Sequence, residues 1–237
     1  MTTLIVMPGT GSDADYAARA FGPAAASLGA RLIALEPESD LVGGYLDRVD
    51  EIAQTDDDVL VGGVSIGAAI AVEWVLRSVY AHRCIGVLAA LPPWSGSPGD
   101  SLAALSARIT ADSIEGDGLE ATIAQMAATS PAWLATELSR SWRSLADRGL
   151  VAQLRAACSY TAPTEDDVAS LPVPLGVAAA PDDPLHPIAV GRAWVARAAR
   201  ASLSAVPLTE FGPAEHRLGD ACLAAWRTAS AAAPAEP

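Results

Sequence analysis

The chain has 237 residues and not one lysine; all its basic side chains are arginine. That excludes a Schiff-base mechanism and any other that needs a catalytic lysine. It also excludes a Walker-type phosphate loop, whose lysine reaches the phosphates. Cysteine is nearly absent: Cys84, Cys158 and Cys222 are odd in number and far apart. They build no disulfide framework and read as small apolar residues in a reducing compartment. No C-x-x-C or H-x-x-x-H spacing suggests a metal, and no cofactor is expected. No apolar run reaches membrane-spanning length without a charge or a turn. The opening "MTTLIVMPG" lacks the basic start and long apolar core of a signal peptide. A soluble, cytoplasmic protein is the expectation. A formal net charge of -13 makes nucleic acid and anionic membrane surfaces unfavourable partners.

What the chain does have is apolar residues, 51% of the total, enough for one well-buried α/β domain and an inserted subdomain. Short runs rich in Val, Leu and Ile mark strands at Thr3–Met7, Arg31–Leu35, Asp58–Gly62, Cys84–Leu91, Pro174–Ala180 and Leu203–Leu208. They lack strict alternation, as strands buried on both faces do. Between them lie helix patterns at Ser12–Leu28, Leu41–Thr55, Ala68–Tyr80, Pro187–Ala201 and Glu215–Ala229. This alternation predicts a doubly wound, mostly parallel sheet of about six strands with right-handed crossovers. One segment breaks the rhythm. Residues 94–171 contain helical pattern only, with Ser130-Pro131 as a helix start and an amphipathic run over Ala132–Arg148. They are expected to form a lid inserted into a core made of residues 1–93 and 172–237. The Ala/Pro-rich end, "ASAAAPAEP", is expected to fray.

Two glycine motifs compete for the function. The first is Gly9-x-Gly11-x-x-Ala14 after the first strand, with Glu36 about 20 residues on, which matches a dinucleotide-binding fingerprint. A pyrophosphate there would sit at a helix N-terminus beside Asp13 and Asp15. That repulsion outweighs the attraction of the helix dipole, whereas the same acids are favourable on a helix end that is simply capped.

The second is Gly63-Val64-Ser65-Ile66-Gly67, between the apolar Val59–Val61 and the helix pattern from Ala68. Strand, sharp turn and helix in that order present a serine hydroxyl at the carboxyl end of the sheet. The bare pattern is weak, but this context strengthens it. Such a hydroxyl becomes a nucleophile only when a base takes its proton, and an acid must orient that base. His82 precedes a strand, on the wrong edge of the sheet, and reads as surface. His186 lies in "PDDPLHP" and His216 in "EFGPAEHRLG". Asp182 and Asp183 directly follow a strand.

The order Ser65, acid, His216, each after a successive strand, resembles the α/β-hydrolase family over nearly the whole chain. The sheet is expected to lack the first two strands of the full family fold. In that family the acid is commonly followed four positions later by proline, which Asp183 with Pro187 matches and Asp182 does not. The resemblance therefore implies a catalytic set of Ser65, Asp183 and His216, with Asp182 as rival acid. His186, only three residues from Asp183, is too close to it in sequence to face Ser65 easily; it stands as the rival base and is expected rather to line the pocket or buttress the acid turn. It also implies an oxyanion hole of backbone amides, from Ile66 and from Thr10 or Gly9, although Pro8 stands where many members carry histidine. Trp94, Trp133 and Trp142 are expected at the pocket. The implied activity is hydrolysis of a small to medium carboxylic ester, lactone or thioester through an acyl-enzyme on Ser65, a small-molecule acyl substrate. Acyl transfer by the same residues and a non-catalytic binding protein are the alternatives.

Overall fold

A computed structural model of the chain describes residues 1–232; residues 233–237 of the stretch expected to fray lie outside the described part. Among the described residues, one sheet carries β1 (Thr3–Met7), β2 (Arg31–Ala34), β3 (Val59–Val64), β4 (Cys84–Ala90), β5 (Leu175–Ala179) and β6 (Ala201–Ala205). Its order is β2-β1-β3-β4-β5-β6, and every neighbouring pair is parallel. The chain runs outward from β1 to β2, then crosses back to β3. The carboxyl ends of β1 and β3 therefore lie side by side at the point where the winding reverses, with Met7 opposite Gly63. The loop after β1 and the turn after β3 are neighbours for this reason.

The helices are α1 (Ala14–Leu28), α2 (Leu41–Ala53), α3 (Ile66–Arg77), α4 (Leu102–Asp117), α5 (Leu119–Thr129), α6 (Ala132–Leu145), α7 (Leu150–Ser159), α8 (Glu165–Ala169), α9 (Ile188–Arg197), α10 (Leu208–Phe211) and α11 (His216–Ala231). Alternate residues of each strand feed opposite faces of the sheet. Leu4, Val6, Leu60 and Leu88 pack on Phe21 of α1 and on Leu218 and Cys222 of α11. Ile5, Val61, Val87 and Val177 pack on the other side, against a cluster that includes Tyr45, Ile70 and Trp194. With helices on both faces, β1, β3 and β5 are buried at every position, which is why their sequences read as unbroken apolar runs.

Most element boundaries shift by a few residues from expectation, and two of the shifts have plain local reasons. Helix α1 starts at Ala14, because Asp13 rather than Ser12 is the residue that caps it, accepting a hydrogen bond from the Tyr16 amide at 3.2 Å. The last strand stops at Ala205 instead of Leu208, since Pro207 opens the short helix α10. Between β4 and β5 the chain forms α4 to α8 and, among the described residues, no strand. No helix among them is long and apolar enough to cross a membrane.

Candidate active site

Ser65 occupies the junction of β3 and α3 with φ 55° and ψ -119°, a conformation that a side-chain-bearing residue rarely adopts and that costs about 1–3 kcal/mol. Its surroundings over-determine it. The Ser65 amide donates to the Ala90 carbonyl on β4 at 2.9 Å. A Cβ on Gly63 would fall 2.4 Å from the Met7 carbonyl oxygen, and one on Gly67 would fall 2.3 Å from the same atom. Any side chain at either position would push β1 away from the turn. The glycines let strand, turn and helix close on one another, and the hydroxyl is left facing a cavity.

The imidazole that meets this hydroxyl belongs to His186. Its Nε2 lies 2.9 Å from Ser65 Oγ and its Nδ1 2.7 Å from Asp183 Oδ2. His216, expected at this position, is instead the exposed first residue of α11, and its ring has no hydrogen-bond partner among the described residues. The expectation failed on a steric assumption, that three residues are too few for one loop to supply both acid and imidazole. They suffice because the loop after β5 curls around its own carboxylate. Asp183 Oδ1 accepts the amides of Leu185 and His186 at 2.8 and 3.3 Å, and this turn folds the imidazole back over Oδ2. In the next loop, α10 takes up the chain directly after β6, so that His216 begins the helix beyond it.

Asp182 faces elsewhere, its Oδ1 accepting the Leu208 amide at 2.7 Å and so tying the loop after β5 to the loop after β6. Burial by itself would raise the Asp183 carboxyl. The hydrogen bond and charge of His186, with the two amides, outweigh it and hold the group below the ordinary carboxylate range. His82 is on the surface, its Nδ1 2.9 Å from the Val79 carbonyl oxygen.

Beside Ser65 runs the loop after β1. It packs so closely that a Cβ on Gly9 would sit 3.3 Å from Ser65 Cβ, and Gly9, Thr10 and Ser12 share a cavity wall with Ser65. The amides of Thr10 and Ile66 make no turn, loop or cap hydrogen bond among the described residues. The dinucleotide reading fails on the same loop. Glu36, in place for a ribose, accepts the Ala14 amide at 3.0 Å, while Asp13 accepts that of Tyr16. Two carboxylates already fill the helix end that a pyrophosphate would need.

Helix α6 closes over this loop with three consecutive residues that sequence reasoning left out or read only as pocket lining. Arg140 grips Asp13 with both terminal guanidinium nitrogens at 2.7 Å. Ser141, fully buried, donates to the Gly11 carbonyl at 2.7 Å. The indole of Trp142 leaves no room for a Cβ at Gly11, where φ is +73°. In the sequence Arg140 and Ser141 look like the polar side of an amphipathic helix. Nothing local distinguishes them.

The cavity measures about 430 Å³ and receives all three tryptophans expected there. Trp94 donates to the Tyr160 carbonyl at 3.2 Å, and Trp133 meets Phe211 edge-on at a ring separation of 6.2 Å. About half of the other lining residues are aliphatic, among them Leu91, Leu134, Leu138 and Leu185, and Ser106, Thr110, Thr129 and Ser130 add hydroxyls. The lining contains no arginine, and Glu137 is its one carboxylate besides Asp183. Among the described residues, no cluster of His, Cys, Asp and Glu could hold a metal ion.

A parallel sheet wound on both faces, with a strained serine at the end of its third strand and a helical insertion before the fifth, defines the α/β-hydrolase fold. Solved structures agree. A hydrolase from Oleispira antarctica superposes with a TM-score of 0.68 at 16% identity, over 90% of this chain and 89% of its own. A thermophilic esterase from Thermogutta terrifontis gives 0.69 at 14% identity, over 94% and 88%. A putative non-heme bromoperoxidase from Mycobacterium tuberculosis gives 0.69 at 16% identity, over 96% and 92%. No protein-family model and no curated protein matches the sequence. The likeness is one of fold, shared by proteins named for different reactions.

Proposed function

We propose that the protein is a serine hydrolase that cleaves a neutral, apolar ester, lactone or thioester of small to medium size. One observation carries the reading: the unbroken hydrogen-bonded chain from Ser65 through His186 to Asp183, opening into a mainly apolar cavity. Asp183, held ionised, accepts the Nδ1 proton of His186 and leaves Nε2 to act as base. His186 takes the Ser65 proton as Oγ attacks the acyl carbon. The amide of Ile66, at the start of α3, and that of Thr10 or Gly9 donate to the oxyanion. His186 returns its proton to the leaving group. Water, deprotonated by the same ring, then attacks the acyl-enzyme and frees Ser65.

Residues 94–171 act as a cap, since α4, α6 and α7 wall the cavity above Ser65. The lining narrows the substrate. An acyl chain bearing a carboxylate would find no free countercharge in the lining, where Glu137 is itself paired with Arg19 and Arg140, so a hydrocarbon acyl group is favoured. The volume corresponds to about 14 waters, enough for a ligand on the order of a dozen heavy atoms.

Labelling with a fluorophosphonate tests the chemistry. One probe per chain on Ser65, absent in Ser65→Ala, with turnover of p-nitrophenyl butyrate, is the expected result. A wild-type chain that neither labels nor hydrolyses any of a neutral acyl series refutes it. Added alcohols or amines, competing with water for the acyl-enzyme, distinguish hydrolysis from acyl transfer.

A further inference from the structure

The geometry points to helix α6 as the outer support of the oxyanion hole, with Ser141 and Arg140 as positioning residues that set the loop after β1. This inference rests on the serine-hydrolase reading and adds a role that no local feature of that loop supplies. The loop is short and has no regular structure. Its Gly11 is in a left-handed conformation, and only the Ser12 amide is tied back within it, to the Gly9 carbonyl at 3.0 Å. Left alone, such a segment samples several states. What fixes it comes from 130 residues away in sequence.

Each of the three contacts constrains a different degree of freedom. The Ser141 hydroxyl, fully buried, holds the Gly11 carbonyl and thereby the tilt of the peptide after Gly11. The forked contact of Arg140 with Asp13 fixes the end of the loop where α1 begins, and Asp13, 2% exposed, is itself committed to the Tyr16 amide. The Trp142 indole fills the space beside Gly11 and prevents the loop from relaxing outward. On the inner side, Gly9 already rests on Ser65. The loop is therefore held between the nucleophile turn and α6. These contacts leave the amides of Gly9 and Thr10 one arrangement relative to Ser65, which loss of the α6 contacts would relax.

The test separates transition-state stabilisation from substrate binding. Ser141→Ala and Arg140→Gln are compared with Arg143→Gln, which breaks the pair with Glu120 and a long contact to the Ser139 carbonyl, both inside the insertion. Fluorophosphonate labelling of wild type is measured first, and a wild-type chain that does not label overturns the underlying reading. Given labelling, Ser141→Ala and Arg140→Gln should each lower kcat on p-nitrophenyl butyrate by about ten-fold or more, a fraction of the 10²–10³ typical for losing an oxyanion donor outright. KM should change less than about two-fold. Affinity for a trifluoromethyl ketone, whose tetrahedral adduct places an oxyanion in the hole, should fall by the same factor as kcat/KM. Arg140→Lys should recover part of the loss, because one of the two contacts to Asp13 can re-form. Arg143→Gln should match wild type. Unchanged kcat in folded Ser141→Ala and Arg140→Gln chains overturns the inference, as does a loss confined to KM. Should Ser141→Ala fail to fold, the comparison of Arg140→Gln with Arg140→Lys decides alone.

Discussion

Replacing His186 by alanine, beside the same change at His216, asks the most of the structure. His186 is the group within hydrogen-bond distance of the Ser65 hydroxyl, at 2.9 Å, and it is also what connects that hydroxyl to Asp183. Without it the serine must lose its proton to water. A positioned general base contributes about 10²–10⁴ in rate, or about 3–6 kcal/mol of barrier at roughly 1.4 kcal/mol per decade. The effect on folding is smaller. Asp183 keeps both amide donors from Leu185 and His186, so the carboxylate is not left bare, and the vacated volume opens to the cavity. Loss of one hydrogen bond to a charged group costs about 1.5–3 kcal/mol, a fall of about 3–12 °C in Tm for a chain of this size. His216 is exposed with no ring partner among the described residues, so its removal should leave kcat/KM within about two-fold of wild type and Tm within about 2 °C. The assay is kcat/KM on p-nitrophenyl butyrate with thermal unfolding monitored in parallel. Added imidazole should restore part of the lost rate in His186→Ala alone. If His216→Ala abolished turnover while His186→Ala retained it, the assignment of the base would be refuted and with it the argument from loop geometry.

Three further outcomes follow from particular contacts. Asp183→Asn should reduce kcat by about 10³–10⁴ because the amide no longer selects the right imidazole tautomer, whereas Asp182→Asn keeps an acceptor for the Leu208 amide and should cost less than about three-fold; steady-state kinetics on both variants checks the choice of acid. Gly67→Ala should destabilise by about 3–5 kcal/mol or prevent folding, since the new Cβ meets backbone that cannot move aside, and denaturant unfolding measures it. Burial alone would raise the Asp13 carboxyl, but the Arg140 hydrogen bonds, the Tyr16 amide and nearby arginine charge hold it below its ordinary value. Its contribution to stability is thus present above about pH 4 and is lost as pH falls through the lower folded value. Asp13→Asn should flatten the acid limb of a Tm-against-pH curve, and parallel curves for variant and wild type would contradict that.

The division between what the chain displays locally and what it hides follows the range of the interactions involved. Strand and helix identity were legible because burial on both faces of a parallel sheet imposes unbroken apolar runs, and because Asp and Pro mark where helices begin. Ser65 was legible for a similar reason. The glycines at 63 and 67 answer to a close approach within one strand-turn-helix unit, and the consequence appears in five consecutive letters. The exclusion of a nucleotide was also legible in outline, from the charges of Asp13 and Asp15. The actual occupant of that helix end, Glu36, became visible only in the fold.

The partner of Ser65 was a different matter. His186 and His216 both follow strands, and sequence order pointed to His216. The choice lay in the dihedrals of a single turn, where Asp183 gathers two amides and swings the imidazole back on itself. No periodicity or spacing encodes that turn strongly enough to outweigh chain order. The roles of Arg140 and Ser141 were further out of reach, because their meaning depends on a loop about 130 positions earlier. By itself, then, the sequence determined the elements, the layers and the strained serine turn, all set by burial and short-range sterics. The tertiary structure decided which imidazole reaches that serine and which helix holds the loop beside it, since both depend on groups meeting across turns and chain separations that leave no local trace.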